Sequence, residues 1–238
     1  MAFTFYNSLP NDFEVLSFDL DDTLYQNEDV IIKAEQAQFD AVCRLTPKAK
    51  ELGIDMWRDL KWQVATEMPE VRHDVSEWRV QVVKKGLANL GITDQEAVDQ
   101  VYDAFFQARS NFTVPAQTFS VLAELKTKFK LIAVTNGNVD INRIGLAEYF
   151  DGYYRAGEQN CRMKPYPDML LKATKDLALG SPDKILHLGD SVLADVKAAQ
   201  NAGVPSLWFN PKNKAYPRGF ALPTAEYSGM RDLLALLG

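Results

Sequence analysis

The sequence predicts an α/β protein in which a parallel sheet is interrupted, after its first strand, by an all-helical insert. Three observations carry this. Short apolar runs at Val15–Phe18, 131–134, 185–188 and 204–209 are separated by helical patterns, and strands spaced by helices build βαβ units with a sheet covered on both faces. Between about Gln26 and Val114 apolar residues recur at helical spacing with no convincing strand. Three of the runs end in acids, hydroxyls or glycine: Asp19, Thr135 and Gly189-Asp190.

The elements follow in order. Val15–Phe18 opens the sheet. Val30, Ile31, Ala34, Ala37, Ala41, Val42 and Leu45 then form one helical stripe. Met56, Trp57, Leu60 and Val64 form a second, closed by Pro69. Asp74 and Glu77 read as a capping box opening a third, with Val75, Trp78, Val82 and Leu87 inward and Gly91 ending it. Thr93 and Glu96 repeat that signal before Val98, Val101, Tyr102, Phe105 and Phe106. These four helices define an insert over 26–113, and 1–25 with 114–238 form the core.

In the core, Leu122 and Leu125 mark a helix before the 131–134 strand. Helices over 169–177 and 192–202 alternate with the remaining strands, Gly203 suiting a helix end. A closing helix is expected over 230–237, and 219–228 carries no clear pattern. The result is a Rossmann-like parallel sheet with an inserted helical bundle.

Composition narrows the functional class. At 238 residues, 47% hydrophobic and 24% charged, the chain has the make-up of an ordinary globular protein. A net charge of −6 without a basic cluster argues against a nucleic-acid partner. Cys43 and Cys161 build no disulfide framework and fit a reducing compartment. The first residues lack a basic region followed by an apolar stretch, and no run approaches the ~18–20 apolar residues of a membrane span. A cytoplasmic protein without a membrane partner is expected; monomer and homodimer are not distinguished.

Ligands of open parallel sheets collect at the carboxyl ends of strands. There the sequence places Asp19 and Asp21, then Thr135-Asn136-Gly137-Asn138, then Gly189-Asp190-Ser191 with Asp195 one helical turn on. Lys164, in Arg162-Met163-Lys164-Pro165, lies between the last two. Acids just past a buried strand are costly unless a cation or a reaction employs them.

Other readings are weaker. The stretch after Asp19 is no EF-hand loop, because its sixth position is Leu24 and its twelfth Val30. A serine hydrolase needs an activating histidine, and only His73 and His187 occur, His187 inside a strand as a packed core residue. No Gly-x-Ser-x-Gly elbow or zinc motif is present. Taken singly, Asp190 reads as a helix cap, Thr135 as an ordinary strand-end hydroxyl and Lys164 as a solvated lysine. Their ordered occurrence after successive strands argues otherwise.

Asp19-Leu20-Asp21-Asp22-Thr23, then Thr135, Lys164 and Gly189-Asp190 with Asp195, in this order, resemble the haloacid dehalogenase (HAD) superfamily. The resemblance implies a phosphatase in which Asp19 is the nucleophile and Asp21 the general acid/base. It further implies Thr135, Asn136, Gly137 and Lys164 as phosphate contacts. Asp19, Asp190, Asp195 and the Asp21 carbonyl would hold Mg²⁺, or Mn²⁺ in the same oxygen site. Haloacid dehalogenases lack the second acid, because halide leaves without a proton, so Asp21 favours phosphoester chemistry. A phosphomutase would keep the same residues, whereas a phosphate-binding module would be expected to lack a catalytic acid, and Asp19 and Asp21 are both present.

The insert resembles the C1-type helical cap of the superfamily, which points to a small phosphorylated metabolite as substrate. His73-Asp74-Val75 and Trp78-Arg79 further resemble bacterial phosphatases acting on flavin mononucleotide and on 5-amino-6-(5-phospho-D-ribitylamino)uracil, a precursor in riboflavin biosynthesis. That resemblance makes His73, Trp78 and Arg79 candidate substrate contacts; packing of Trp78 in the cap core is the competing expectation. Phosphoglycolate, sugar phosphates and nucleoside monophosphates are the alternative substrates.

Overall fold

The computed structural model describes residues 2–238. It divides into two compact units, one formed by 2–26, 113–137 and 145–238, the other by 27–112 and 138–144. Seven strands lie in the first: β1 (Thr4–Phe5), β2 (Val15–Phe18), β3 (Lys130–Thr135), β4 (Gly152–Arg155), β5 (Ile185–Gly189), β6 (Ser206–Phe209) and β7 (Ala225–Tyr227). Their order is β1-β7-β6-β5-β2-β3-β4. All neighbours are parallel except β1 and β7.

β2 and β5 are buried along their whole length and β3 from its second residue. Sheets covered on both faces give such unbroken apolar runs. β6 starts two residues later than the 204–209 run. The Val204 N–H instead closes the preceding helix on the Ala199 carbonyl at 2.9 Å, and Pro205 has no N–H for the ladder. β1, β4 and β7 were not expected: they are two to four residues long and lie towards the sheet edges, where little apolar patterning is required.

The helical unit contains α1 (Glu28–Leu45), α2 (Lys48–Leu52), α3 (Asp55–Glu67), a 3₁₀ turn (Pro69–His73), α4 (Val75–Asn89) and α5 (Gln95–Arg109). The four expected helices are α1, α3, α4 and α5; α2 and the 3₁₀ turn are additional. Trp57, Leu60, Val83, Leu87, Val98 and Val101 belong to its core. Gly86 permits the closest approach: a Cβ there would lie 2.3 Å from Cζ3 of Trp57.

Two start signals differ from expectation. Asp74 caps α4 by accepting the N–H groups of Ser76 (2.9 Å) and Glu77 (3.2 Å). The return half of the capping box is replaced, since the Asp74 N–H donates to the Val71 carbonyl and Glu77 accepts from the Gln81 side chain. At α5 the cap is Asp94 rather than Thr93; its carboxylate accepts the Ala97 N–H at 3.1 Å. The unit also includes 138–144, which the 26–113 boundary left in the core. Asn138 donates to Ser76 Oγ at 3.3 Å and the Asp140 N–H to Ser110 Oγ at 3.0 Å.

The sheet unit adds α6 (Ala116–Leu125), α7 (Asp168–Asp176) and α8 (Lys197–Ala202). Ile132, Val134 and Ile185 pack with Met169, Leu170 and Ala173 of α7 and the alanines of α8; burial stabilises each large side chain by about 1.5–3 kcal/mol. The expected 192–202 helix is broken into a π-helical turn at Val192–Val196 followed by α8. There the Ser191 carbonyl accepts from both Asp195 (2.7 Å) and Val196 (3.2 Å), and such wide turns are frequent at functional sites. The chain closes with 3₁₀ turns at Met230–Leu237 in place of an α-helix. Among the described residues no helix is long and apolar enough to cross a membrane.

Candidate active site

β2 lies between β3 and β5, the reversal in strand order where open parallel sheets leave a crevice at their carboxyl ends. Three loops converge there. Asp19 follows β2, its N–H bonded to the Leu188 carbonyl of β5 at 2.8 Å. The buried Lys164 ammonium donates to Asp19 Oδ1 (2.7 Å) and to the Val134 carbonyl (2.7 Å), and lies 2.6 Å from Asp195 Oδ1. Asn136, just past β3, holds the lysine backbone: it donates to the Lys164 carbonyl (3.0 Å) and accepts the Lys164 N–H (2.7 Å). The Asn136 side chain thus fixes the backbone that presents Lys164. Beside it, buried Thr135 Oγ1 accepts the Gly137 N–H at 2.9 Å.

Asp195 is enclosed from several sides. Its Oδ2 accepts the Ser191 N–H at 3.0 Å, and its Oδ1 lies 3.2 Å from His187 Nε2. On the far side of the imidazole, Nδ1 lies 2.9 Å from Ser17 Oγ, the residue paired with His187 across β2 and β5. Burial depresses the basicity of His187 against the pull of Asp195, so the neutral ring donates from Nε2 and accepts from Ser17. The sequence made His187 a packed core residue. It is fully buried, but as a polar link between Ser17 and Asp195. The available signal was a histidine facing a serine in two otherwise apolar strands. Gly189 makes room for this arrangement, since a Cβ there would sit 2.2 Å from Asp195 Cγ.

Asp19, Asp190 and Asp195 each offer a carboxylate oxygen, all within 4.8 Å of one another. Burial raises the Asp19 carboxyl well above its usual range despite Lys164. Asp190 is pushed up to about 6, by burial and then by Asp195 and Asp22. Burial would raise Asp195 too, but Lys164 and His187 prevail and hold it well below. For Lys164 burial is outweighed by Asp19 and Asp195, which raise it. Three clustered carboxylates against one ammonium leave excess negative charge in a buried, oxygen-rich place. That donor set fits a hard divalent cation.

The turn leaving β2 is fixed at several points. Asp22 takes a left-handed backbone (φ 58°). Buried Thr23 accepts the Asp190 N–H at 3.1 Å, and the Trp208 indole donates to the Asp190 carbonyl at 2.8 Å. The Asp21 side chain accepts from the Tyr25 hydroxyl at 2.7 Å, and its charge adds to the effects that raise Asp19. Trp208 was not singled out by the sequence, and Tyr25 was given no role of its own.

The three candidates from the helical unit are engaged within it. Trp78 packs on its apolar core and donates to the Lys61 carbonyl at 3.1 Å. Arg79 lies over the Phe105 ring at 3.5 Å, donates to buried Gln38 at 3.1 Å and approaches Glu35 at 3.8 Å. Burial lowers the Arg79 guanidinium to about 10. His73 lies 3.7 Å from the Glu70 carboxylate.

Comparison with known proteins places this geometry among relatives. The family profile of haloacid dehalogenase-like hydrolases matches residues 13–203. The chain is 33% identical to the 5-amino-6-(5-phospho-D-ribitylamino)uracil phosphatase YigB of Escherichia coli (strain K12), over 93% of this chain and 95% of the relative. It is 29% identical to the pyrimidine 5'-nucleotidase YjjG of the same organism, over 57% of this chain and 62% of that one. Among solved structures, a 2-haloacid dehalogenase from Pseudomonas syringae pv. Tomato DC3000 superposes with a TM-score of 0.87 at 29% identity, covering 94% of this chain and 98% of that chain.

Proposed function

Since this chain belongs to the haloacid dehalogenase-like hydrolase family, we propose that it is a Mg²⁺-dependent phosphatase acting on a small phosphorylated metabolite through a phosphoaspartate at Asp19. The class is that of a phosphoric monoester hydrolase, as its phosphatase relatives are. The observation that carries the finer reading is the buried Lys164 ammonium bonded to both Asp19 and Asp195. It holds a carboxylate in a fixed place at the strand ends and offsets its charge.

In this reading Asp19 attacks phosphorus in line while the bond to the leaving oxygen breaks. Asp21 protonates that oxygen, then takes a proton from the water that opens the acyl phosphate, so phosphate leaves and Asp19 is regenerated. Thr135 and the amides after it bind phosphoryl oxygens, and Lys164 balances their charge. Asp19, Asp190, Asp195 and the Asp21 carbonyl would hold Mg²⁺, with Mn²⁺ as the alternative. When bound, the ion neutralises charge between nucleophile and phosphate. The dehalogenase likeness is set against Asp21, since halide departure requires no proton donor.

The substrate we favour is 5-amino-6-(5-phospho-D-ribitylamino)uracil or flavin mononucleotide, which would place the enzyme in riboflavin biosynthesis. Support comes from the near full-length likeness to a phosphatase named for the first compound. Nucleoside monophosphates are the second choice, through the nucleotidase relatives, which match over little more than half the chain.

The test is phosphate release from a panel holding these compounds, phosphoglycolate and a sugar phosphate, beside halide release from a 2-haloacid. Mg²⁺-dependent phosphate release that drops about 10⁴-fold in Asp19→Asn is expected. Mg²⁺ at ~100 times its Kd should also stabilise the protein by about 2.7 kcal/mol, or roughly 5–10 °C in Tm. Halide release without phosphatase activity would overturn the reading. Efficient cleavage of another phosphoester, with neither flavin-pathway compound turned over, would remove only the substrate.

A further inference from the structure

We propose that Tyr25 is a positioning residue for the Asp21 carboxyl, orienting the proton that is delivered to the leaving oxygen. The inference rests on the reading of Asp21 as acid/base, and it explains why the turn after β2 is built as it is. The Tyr25 hydroxyl donates to Asp21 Oδ1 at 2.7 Å, and a backbone bridge joins the same two residues. Tyr25 is only 5% exposed, so its ring is held by its surroundings.

The chain between them is pinned at each end. The Leu24 N–H bonds to the Leu20 carbonyl at 2.9 Å, and buried Thr118 of α6 donates to the Leu24 carbonyl at 2.9 Å. Thr23 bonds the Asp190 backbone. Asp22 is held left-handed between them, a conformation unfavourable for a non-glycine residue that persists where neighbouring contacts fix it.

The consequence is chemical. With Oδ1 committed as the acceptor of the phenol, the transferable proton of Asp21 is carried on Oδ2. It moves from there to the leaving oxygen as the phosphorus–oxygen bond breaks. It is replaced from water when the acyl phosphate opens. The phenol keeps its own proton throughout.

Leaving-group dependence isolates this role, because an aryl oxygen that departs readily as an anion needs little protonation whereas an alkyl oxygen needs it fully. Tyr25→Phe keeps the buried ring and removes the hydroxyl. kcat/KM for an alkyl phosphate should fall about 10–100-fold, part of the ~10²–10⁴-fold a general acid contributes. That for 4-nitrophenyl phosphate should fall less than about threefold. Thr118→Val, which releases the Leu24 carbonyl, should shift the alkyl-to-aryl ratio in the same direction by a smaller amount.

Asp21→Asn separates the two readings. If it collapses the alkyl-to-aryl ratio while Tyr25→Phe lowers both substrates equally or neither, the positioning role of Tyr25 is overturned and the acid stands. If Asp21→Asn itself leaves the ratio unchanged, the acid/base assignment fails first.

Discussion

The two units bury different things, and the difference points to the sheet unit as the seat of the proposed chemistry. Inside the sheet unit lie Asp19, Lys164, His187, Asp195, Ser17 and Thr135, all within 8% exposure. Apart from Thr135, which bonds the adjacent Gly137 amide, they form a connected series: Ser17 to His187, His187 to Asp195, Asp195 to Lys164, and Lys164 to Asp19. The helical unit is packed mainly from aliphatic and aromatic groups, with Gln38, Arg109, Ser110 and Asn138 as its buried polar side chains. Replacing a buried ion pair by apolar residues is often neutral or stabilising. A fold that needed only stability would not assemble two carboxylates around one lysine at the carboxyl ends of its central strands.

Each unit contains one glycine whose missing Cβ admits a functional or packing group, and the pair makes the contrast measurable. Gly189→Ala would set a methyl 2.2 Å from the Asp195 carboxyl carbon, and Asp195 is held by Ser191, His187 and Lys164. A shift of about 1 Å in such a constellation lowers rate about 100-fold, so a kcat/KM loss of at least that size is expected. The Mg²⁺-induced rise in Tm should shrink with it. Wild-type turnover in this variant would break the claim that Asp195 must stay where it is.

Gly86→Ala drives its methyl into the Trp57 ring. Overpacking costs ~1–3 kcal/mol, offset by up to about 1 kcal/mol from the better helix propensity of alanine. A net loss of about 1–2 kcal/mol, read as a Tm decrease of roughly 2–8 °C, should leave the Mg²⁺-induced Tm rise intact. A selective loss of that rise would erase the distinction between the two regions.

Legibility in the sequence followed burial. β2, β3 and β5 were readable because both faces are covered and their apolar runs are unbroken. β1, β4 and β7 escaped because short strands towards a sheet edge require no such run. Asp19, Asp21 and Asp190 stood out as acids at strand ends, and the structure brings Asp19 and Asp190 together with Asp195. His187 did not, because a histidine within an apolar run looks like filling until its cross-strand partner is known. That partner, Ser17, follows from the β2–β5 register and not from spacing along the chain. Asn136 was readable as a site residue, but its grip on the Lys164 backbone joins positions 28 apart in sequence. For Trp78 the packing expectation is met, since the ring lies against the apolar core and its indole N–H is taken by a backbone carbonyl of its own unit.

The smallest expected effect tests whether local signals in the helical unit are only structural. Asp74→Ala removes the acceptor for the Ser76 and Glu77 N–H groups at the start of α4. Cap removal costs ~0.5–2 kcal/mol. Here the lower half of that range is expected, because the N–H groups lie near the surface, where water can replace one acceptor. The Asp74 N–H keeps the Val71 carbonyl in either case. A Tm decrease of about 1–4 °C with kcat unchanged is the outcome for a cap that serves the helix alone. A loss of kcat beyond threefold at full occupancy of folded protein would assign Asp74 to the reaction as well. The helical unit would then carry chemistry, contrary to the division drawn between the two cores.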